Sequence, residues 1–170
     1  MKRLLIVLTL ILATAFTAGA QTYGYLDTKK ILEKMPEYIA AQSQLDNISE
    51  GYQAEIDEQM GRIENLFTRY QQEKPRLGET QRQIRENEII ALEREVKERQ
   101  KLIFGQDGTL AKMTEEKMNP IRGRVQRAVE AVAAETGSGI IFDLAITQGV
   151  IFTNPRYDLT ERVMRKLNLK

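Results

Sequence analysis

The 170-residue sequence contains no cysteine, no histidine and no tryptophan, and it has only four prolines. Without cysteine, no disulfide and no lipid-modified N-terminal cysteine can form. Without histidine or cysteine, carboxylates are the remaining strong metal ligands, which disfavours zinc, copper and iron sites. A histidine-dependent catalytic triad and a cysteine nucleophile are excluded for the same reason.

The first 20 residues have the pattern of a cleavable secretory signal peptide. Lys2 and Arg3 give a basic start, an apolar run follows over 4–12, and Ala18-Gly19-Ala20 supplies small residues for a signal peptidase. The apolar run is shorter than the roughly 20 residues that cross a bilayer. We therefore expect a cut after Ala20 and a soluble mature protein outside the cytoplasm.

Neither sign of charge dominates the mature chain. After removal of 1–20 it keeps 23 Lys and Arg against 24 Asp and Glu, a formal net charge of −1. This balance is not typical of a nucleic-acid-binding protein, and we expect no nucleic-acid partner. Aromatic residues make up only 6% of the sequence. The core is therefore small for this length, which indicates an elongated chain or one that shares its core with partners.

Residues 38–119 are highly charged and predict a long antiparallel helical hairpin, because alternate steps of four and three residues give an apolar seam on each arm. The outgoing seam comprises Tyr38, Gln42, Leu45, Ser49, Tyr52, Ile56, Gln59, Ile63, Leu66 and Tyr70. The return seam comprises Ile89, Leu92, Val96, Arg99, Ile103, Gln106, Leu110, Met113 and Lys117. Polar members such as Arg99 interrupt the seam, so we expect loose packing along it.

Proline and glycine mark the turns of this hairpin. Pro75 and Gly78 predict its tip near 74–78, which makes the two arms nearly equal in length. Gly61, Gly105 and Gly108 lie inside the arms and are either sites of flexibility or positions that relieve crowding between the helices. Asn119-Pro120 is expected to kink or restart the return helix.

The flanking segments, 21–37 and 120–170, predict a small α/β body. The first contains a strand at Tyr23–Asp27 and a short helix, capped by Asp27 or Thr28, that stops near Met35-Pro36. The second opens with a helix that carries a wider apolar stripe from Ile121 to Ala133.

Beyond that helix, 139–143 and 150–153 are rich in β-formers and predict two strands of a small sheet. Asp158 and Glu161 form a capping-box pattern before a final helix. The predicted fold class is therefore mainly α with a small β-sheet body, into which the helical hairpin is inserted.

The sequence offers no convincing catalytic or cofactor site. Asp27, Asp143 and Asp158 lie near the ends of predicted strands and helices and could converge on a metal, but helix capping explains them more simply. Most other acidic residues fall on charged helical faces. We expect neither an enzyme nor a bound cofactor, and a hydrolase that uses these carboxylates is the least supported alternative.

Several aromatic, methionine and isolated aliphatic residues of the arms suit promiscuous binding of a client polypeptide. Alternatively, they widen the seam or rest against neighbouring subunits. The candidate client-binding residues are Ile48, Tyr52, Met60, Phe67, Tyr70, Ile90, Leu102, Phe104 and Met113.

The order of these features resembles the Skp/OmpH family of periplasmic chaperones. The resemblance is carried by the signal peptide, by Tyr23–Asp27 with Met35-Pro36-Glu37, by the charged hairpin, and by the C-terminal part. That last part contains Gly139–Asp143, Val150–Phe152 and Asp158–Val163. The resemblance covers essentially the whole mature chain.

It implies a homotrimer shaped like a jellyfish, in which three hairpins surround a cavity that holds unfolded outer-membrane proteins without using nucleotide. The implied function is an ATP-independent periplasmic holdase; the alternative is a structural or adaptor protein of the cell envelope that docks one folded partner. Residues expected in the body core or at the trimer interface are Tyr23, Tyr25, Leu26, Ile140, Ile141, Phe142, Val150, Ile151 and Phe152.

The sequence departs from this family in charge. The best-known members are strongly basic toward the hairpin tips, whereas residues 54–100 hold nine Lys and Arg against eleven Asp and Glu here. Contact with lipopolysaccharide or an anionic membrane is therefore expected to be weak or absent. Client capture would depend less on long-range attraction and more on apolar contact.

Overall fold

The computed structural model describes residues 22–169, so the expected signal peptide lies outside the described residues. Within this range the helices and strands follow one another as β1 (Thr22–Leu26), α1 (Thr28–Glu33), α2 (Pro36–Glu73), a 3₁₀ turn (Lys74–Arg76), α3 (Glu79–Phe104), α4 (Thr109–Thr136), β2 (Ser138–Asp143), a second 3₁₀ turn (Pro155–Tyr157) and α5 (Thr160–Lys166). The chain is mainly helical with a small sheet, as the sequence predicts.

The described residues divide into two compact units. One, which we call the arm, spans Met35–Gly123; the other, the body, combines the residues up to Lys34 with those from Arg124 onward. The sequence places the arm at 38–119 and the body on either side of it.

In the body, β1 and β2 pair in parallel, with Tyr23 opposite Ile140 and Tyr25 opposite Phe142. Parallel strands need a long crossover connection, which the chain between β1 and β2 supplies. The opposite edge of β1 is occupied at one point, where the N–H of Leu159 donates to the carbonyl oxygen of Tyr25 at 2.8 Å.

The strand predicted at 150–153 is not formed in the single chain. Residues 147–154 have no regular secondary structure, and Gly149 has a positive φ of 84°. A strand needs a partner edge, and on the far side of β1 the chain around Asp158 already takes the position beside Tyr25. The outer edge of β2 has no third strand either, so residues 150–153 pair with no strand among the described residues.

The body core forms where β1, α1, α4 and α5 present their apolar residues. Leu26 is 2% exposed, and Ile31, Val132 and Val163 are buried as well. The apolar stripe predicted on the helix after Pro120 is confirmed, since its members at Val125, Ala128 and Val132 are buried. Gly24 allows close packing here, because a Cβ at this position would lie 2.5 Å from Cδ1 of Leu159.

In the arm, α2 begins with Pro36 in its first turn, where a missing N–H removes no helical hydrogen bond. It runs for 38 residues before the 3₁₀ turn at Lys74–Arg76 reverses the chain. This turn is where the sequence predicts the tip. It is stabilised by Arg82, whose Nε donates to the carbonyl oxygen of Lys74 at 3.1 Å.

The return arm is not one helix, contrary to the single arm helix that the heptad walk predicts up to Asn119. It breaks after Phe104 and resumes at Thr109. The ladder of cross-arm contacts explains the break: 11 residues separate Gln44 from Glu55 on α2, whereas 18 separate their partners, Lys117 and Arg99, on the return arm. Four of the residues on the return arm, 105–108, lie outside its two helices and take up part of this surplus.

The glycines of the arm do not share one role. A Cβ at Gly61 would meet no atom within 4 Å, so crowding does not account for that glycine. At Gly105 a Cβ would lie 2.4 Å from the carbonyl oxygen of Lys101, and at Gly108 one would lie 2.6 Å from that of Ile103. Crowding therefore applies at the helix break, but the crowding atoms belong to the return arm itself.

The kink expected at Pro120 is also absent, because α4 continues through it. Proline removes one helical hydrogen bond, which would leave the carbonyl of Glu116 without its usual donor. Glu116 and Pro120 are both exposed, so water can solvate that carbonyl. Met118 and Ile121 are buried on the other side and hold the helix together by packing.

Candidate functional site

The seam between α2 and α3 is filled by the residues that the heptad pattern predicts. Ile56, Val96 and Ile103 form a buried cluster, against which Tyr52, Ile63 and Phe104 pack. Leu45, Tyr70 and Ile89 are buried at further seam positions. The apolar seam residues of the two helices therefore bury one another, as in a two-stranded coiled coil.

Arg99, predicted to interrupt the seam, instead ties the two helices together. Its Nε donates to Oε1 of Glu55 at 3.1 Å, and its second guanidinium nitrogen donates to Oε2 at 3.4 Å. This hydrogen bond to the Glu55 carboxylate raises the pKa of Arg99 above its ordinary value. Arg99 therefore stays charged while it bridges α3 and α2.

The tip of the arm contains a compact polar network. The hydroxyl of Tyr70 donates to the carboxylate of Glu86, and Nζ of Lys74 lies 3.4 Å from the same carboxylate. The ammonium of Lys74 also sits 5.3 Å from the centre of the Tyr70 ring. These three side chains bridge the end of α2, the turn and the start of α3.

The network shifts the pKa values of all three groups. The hydrogen bond from Tyr70 lowers the pKa of Glu86, with a further contribution from Lys74. The hydrogen bond to Glu86 raises the pKa of Tyr70. The pKa of Lys74 is raised by Tyr70 and then by Glu86. Each group is thus held in the protonation state it has at neutral pH.

Tyr70 must therefore be removed from the candidate client-binding residues. It is only 3% exposed, and its hydroxyl is already bonded to Glu86. Its position in the heptad seam is the signal that should have excluded it. Tyr52 and Phe104 are half-buried against the seam cluster, and Ile48 and Met113 are also half-buried.

The remaining four candidates stand open to solvent. Met60 is 56% exposed and Leu102 is 59% exposed, and Phe67 and Ile90 have similar exposure. Ile39 and Ile84 are also about half-exposed but were not among the candidates. In the sequence, each is recognisable as an apolar residue on a charged helix, outside the seam positions. The arm thus carries large apolar side chains that its own packing does not use.

The body exposes more apolar surface than the arm does. Of the residues expected in its core or at an interface, Leu26 is buried and Tyr25 and Ile141 are half-buried. Ile151 is fully exposed and Phe152 is 80% exposed. The others, Tyr23, Ile140, Phe142 and Val150, are each about half-exposed.

These side chains surround a groove of about 750 Å³ lined by residues of β1, β2 and the segment after it, including Tyr23, Phe142, Val150 and Phe152. We call it the body groove. Sequence reasoning missed Ile146, which is 79% exposed, and Tyr157, which lines the body groove. Ile146 could have been recognised as an exposed apolar residue because it lies in a segment that connects two predicted strands.

The three candidate metal-binding aspartates act as caps. Asp27 accepts a hydrogen bond from the N–H of Lys30 at the start of α1. Asp143 accepts from the N–H and the hydroxyl of Thr28, at 3.1 and 2.6 Å. No group of three potential metal-ligating side chains occurs between Thr22 and Leu169.

Asp158 completes this set but does not form the predicted capping box. Its Oδ1 accepts from the N–H of Thr160 at 2.9 Å, and the capping position of α5 falls to Leu159, which makes no side-chain bond. The helix starts one residue later than the capping box predicts, and the Leu159 N–H donates to the carbonyl oxygen of Tyr25 in β1.

Comparison with known proteins identifies the fold and the family. A family model described as outer membrane protein (OmpH-like) matches residues 22–167. The chain belongs to this OmpH-like family. A Caulobacter crescentus protein described as an OmpH-like outer membrane chaperone has a crystal structure that aligns with a TM-score of 0.66, covering 88% of this chain and 85% of that one. At 12% identity, this similarity establishes the fold alone.

Two OmpH-like relatives carry the name chaperone protein Skp. The Photorhabdus luminescens protein is 25% identical over 170 residues, which cover 98% of this chain and 99% of the relative. The Pectobacterium atrosepticum protein is 25% identical over 155 residues, which cover 91% and 90%. The family is one of chaperones rather than enzymes. Among residues 22–169, no helix is both long and apolar enough to span a membrane.

Proposed function

We propose that this OmpH-like protein is an ATP-independent periplasmic holdase. It binds unfolded outer-membrane proteins in a cavity between the helical arms of three copies and prevents their aggregation. The observation that carries the proposal is the exposure of Met60, Phe67, Ile90 and Leu102 on an arm whose seam is already filled. Contact with lipopolysaccharide or anionic membrane is weak or absent, because 54–100 has a net charge of −2.

Isolated apolar side chains on charged helices are suited to holding an unfolded client. Each contact is weak, but several contacts on linked arms raise the effective concentration of the remaining ones. The interspersed charges keep the empty arms soluble. The expected signal peptide would deliver the protein to a compartment without ATP, where passive binding and release suffice.

Trimer formation is supported by the apolar surface of the body. Monomeric proteins rarely expose much large apolar surface in one region, and the loop after β2 exposes Ile146 at 79%, Ile151 at 100% and Phe152 at 80%. We infer that residues 150–153, which pair with no strand among the described residues of one copy, complete a sheet across the subunit interface.

Sedimentation equilibrium tests the assembly. The wild-type mature protein should have the mass of three chains, and Ile151→Asp should shift that mass toward one chain. The side chain of Ile151 is fully exposed in the single chain, so this substitution should not disturb the body core. Ile39→Asp, at an exposed arm position, is the control and should leave the mass unchanged. A trimer that tolerates Ile151→Asp would refute this interface.

Light scattering tests the holdase activity. A denatured outer-membrane β-barrel protein is diluted out of urea with one trimer per client, and aggregation should be suppressed without nucleotide. Absence of suppression would refute the proposal. The adaptor alternative predicts instead one folded partner in a pull-down at fixed stoichiometry, together with little effect on the denatured client.

A further inference from the structure

A second groove, of about 680 Å³, lies on the arm between the middle of α2 and the middle of α3. We call it the mid-arm groove. Its apolar lining is formed by Met60, Ile63, Phe67 and Val96. Val96 belongs to the buried seam cluster and Ile63 packs on it, whereas Met60 and Phe67 are about half-exposed. The groove therefore has a rigid floor and apolar walls that are open to solvent.

Gly61 leaves this groove hollow. It lies inside α2 and lines the groove, and no atom lies within 4 Å of the position that its Cβ would take. A glycine inside a helix costs about 1 kcal/mol relative to alanine. The packing of α2 against α3 does not require this glycine, so the open space it creates is available to a ligand.

The rim of the mid-arm groove is acidic. Asp57, Glu64 and Glu93 line it, and Lys97 is the one basic residue among its lining. Within residues 22–169, no ion pair engages Asp57, Glu64 or Glu93. The Asp57 carboxylate accepts a hydrogen bond from Nε2 of Gln53 at 2.8 Å but keeps its charge. Carboxylates without an ion pair beside an apolar hollow attract a cation whose own stem is apolar.

We propose that the mid-arm groove binds an extended, unfolded polypeptide segment that carries aliphatic or aromatic side chains next to a lysine or arginine. The apolar side chains fill the space left by Gly61, and the basic side chain reaches Glu64 or Glu93. The exposed ring of Phe67 offers a further contact for a cation. The inference rests on the proposed holdase function and adds which client segments the arm selects.

Charge also argues against a second copy of the arm as the occupant. Residues 54–100 carry a net charge of −2, so another arm would bring like charge toward the acidic rim. A basic, apolar segment is complementary to the rim, and like-charge contacts disfavour the wrong partner.

The test uses three fluorescent unstructured peptides that share one core of alternating leucine and tyrosine. They differ only in their flanks, which are two lysines, two serines or two glutamates. By fluorescence anisotropy with the full mature protein, the lysine peptide should bind about four-fold more tightly than the serine peptide at low salt, as two exposed ion pairs would give. The preference should vanish at high salt because screening weakens exposed pairs.

Two matched pairs of variants locate the site. Gly61→Gln fills the groove, whereas Gly51→Gln makes the same change elsewhere in α2, where the space around the Cβ is also open. Gly61→Gln should weaken all three peptides several-fold, and Gly51→Gln should weaken none.

The second matched pair consists of two double variants and tests the acidic rim alone. Glu64→Gln with Glu93→Gln should abolish the lysine preference while retaining the binding of the serine peptide. Glu50→Gln with Glu95→Gln removes the same charge from exposed arm positions outside the groove and should retain the preference.

The outcomes separate this inference from the holdase proposal. If the wild type suppresses client aggregation but binds lysine and glutamate peptides equally, or if Gly61→Gln and Gly51→Gln behave alike, the groove inference is overturned and the holdase stands. If the wild type fails to suppress aggregation, the holdase proposal fails and the inference about clients fails with it. If Gly61→Gln changes the sedimentation mass, a second copy covers the groove and the inference is overturned.

Discussion

The same substitution, glycine to alanine, should change the stability of the arm in opposite directions at Gly61 and Gly105. Gly61 lies inside the 38-residue helix α2, and a Cβ there would meet no atom within 4 Å. Gly105 follows the last residue of α3, and a Cβ there would lie 2.4 Å from the carbonyl oxygen of Lys101.

The surroundings of each glycine determine how much the free energy of unfolding should change. Gly61→Ala adds no contact and restricts the unfolded chain, so it should stabilise by about 1 kcal/mol. Gly105→Ala forces a backbone oxygen to move, because the clash is with main chain rather than with a flexible side chain. That movement strains the bonds from Gly105 N–H to Lys101 and from Gly108 N–H to Gly105, both 2.9 Å long. We expect destabilisation of about 1–3 kcal/mol, as for other overpacked sites.

Urea unfolding followed by circular dichroism measures both effects on the full mature protein. Protomer concentration must be held constant, because the stability of an oligomer depends on it. Hydrogen exchange then shows whether the change lies in the arm. Gly51→Ala is the matched control for the open position, since its Cβ also meets no atom within 4 Å, and it should stabilise like Gly61→Ala.

The result that would refute this reasoning is specific. If Gly105→Ala were as stable as the wild type, the close backbone contact would not determine the helix break. If Gly61→Ala and Gly51→Ala both lost stability, α2 would not be the regular helix on which the mid-arm groove depends.

Three further predictions concern the seam, a cap and the tip. Ile56→Ala, at a fully buried seam position, should destabilise the arm by about 2–5 kcal/mol in urea unfolding. Asp143→Ala removes the acceptor for the N–H and hydroxyl of Thr28 and should cost about 1–3 kcal/mol, whereas Asp143→Asn keeps an acceptor and should cost less. Tyr70→Phe should reduce the pH dependence of arm stability. The lowered pKa of Glu86 gives stability that is present above the ordinary carboxyl pKa and is lost as pH falls through the lowered one. The raised pKa of Tyr70 gives stability that is lost as pH rises through it.

Each of these has an outcome that contradicts it. A small loss at Ile56 would mean that the seam is open to water. Equal losses of stability in Asp143→Ala and Asp143→Asn would contradict the capping role of Asp143. For the tip, phenolate absorbance should include a step above the ordinary tyrosine pKa, and that step should disappear in Tyr70→Phe. An unchanged titration would disprove the Tyr70–Glu86 hydrogen bond.

The sequence predicts most of the arm because its signals are local. Seam residues such as Ile56 and Val96 repeat at heptad spacing, and Pro75 with Gly78 marks the turn. The break at Gly105 escaped this reasoning, since the four-three steps continue through it without a change in residue type. It depends on a mismatch in length between the two arms, which appears only when residues far apart in sequence are paired.

The residues of the candidate site also differ in whether the sequence alone reveals their role or only the folded structure does. The helical period places Met60, Phe67 and Phe104 off the seam but leaves open whether they widen it. Met60 and Phe67 are exposed, whereas Phe104 packs on the seam cluster. Tyr70 occupies a seam position, which already indicates burial, and its 3% exposure and its hydrogen bond to Glu86 agree with that position rather than with client binding. The acidic rim of the mid-arm groove combines Glu64 with Glu93, which the hairpin brings together from different helices.

What the sequence determined by itself is the helical hairpin and its tip, because hydrophobic period, proline and glycine act over a few residues. Tertiary structure alone decided three other features: the parallel pairing of β1 with β2, the continuity of α4 through Pro120, and the unpaired state of 150–153. Each depends on which surface is available at a distance along the chain. At Pro120, buried neighbours outweigh one lost hydrogen bond, and at 150–153 the β-forming residues pair with no strand between Thr22 and Leu169.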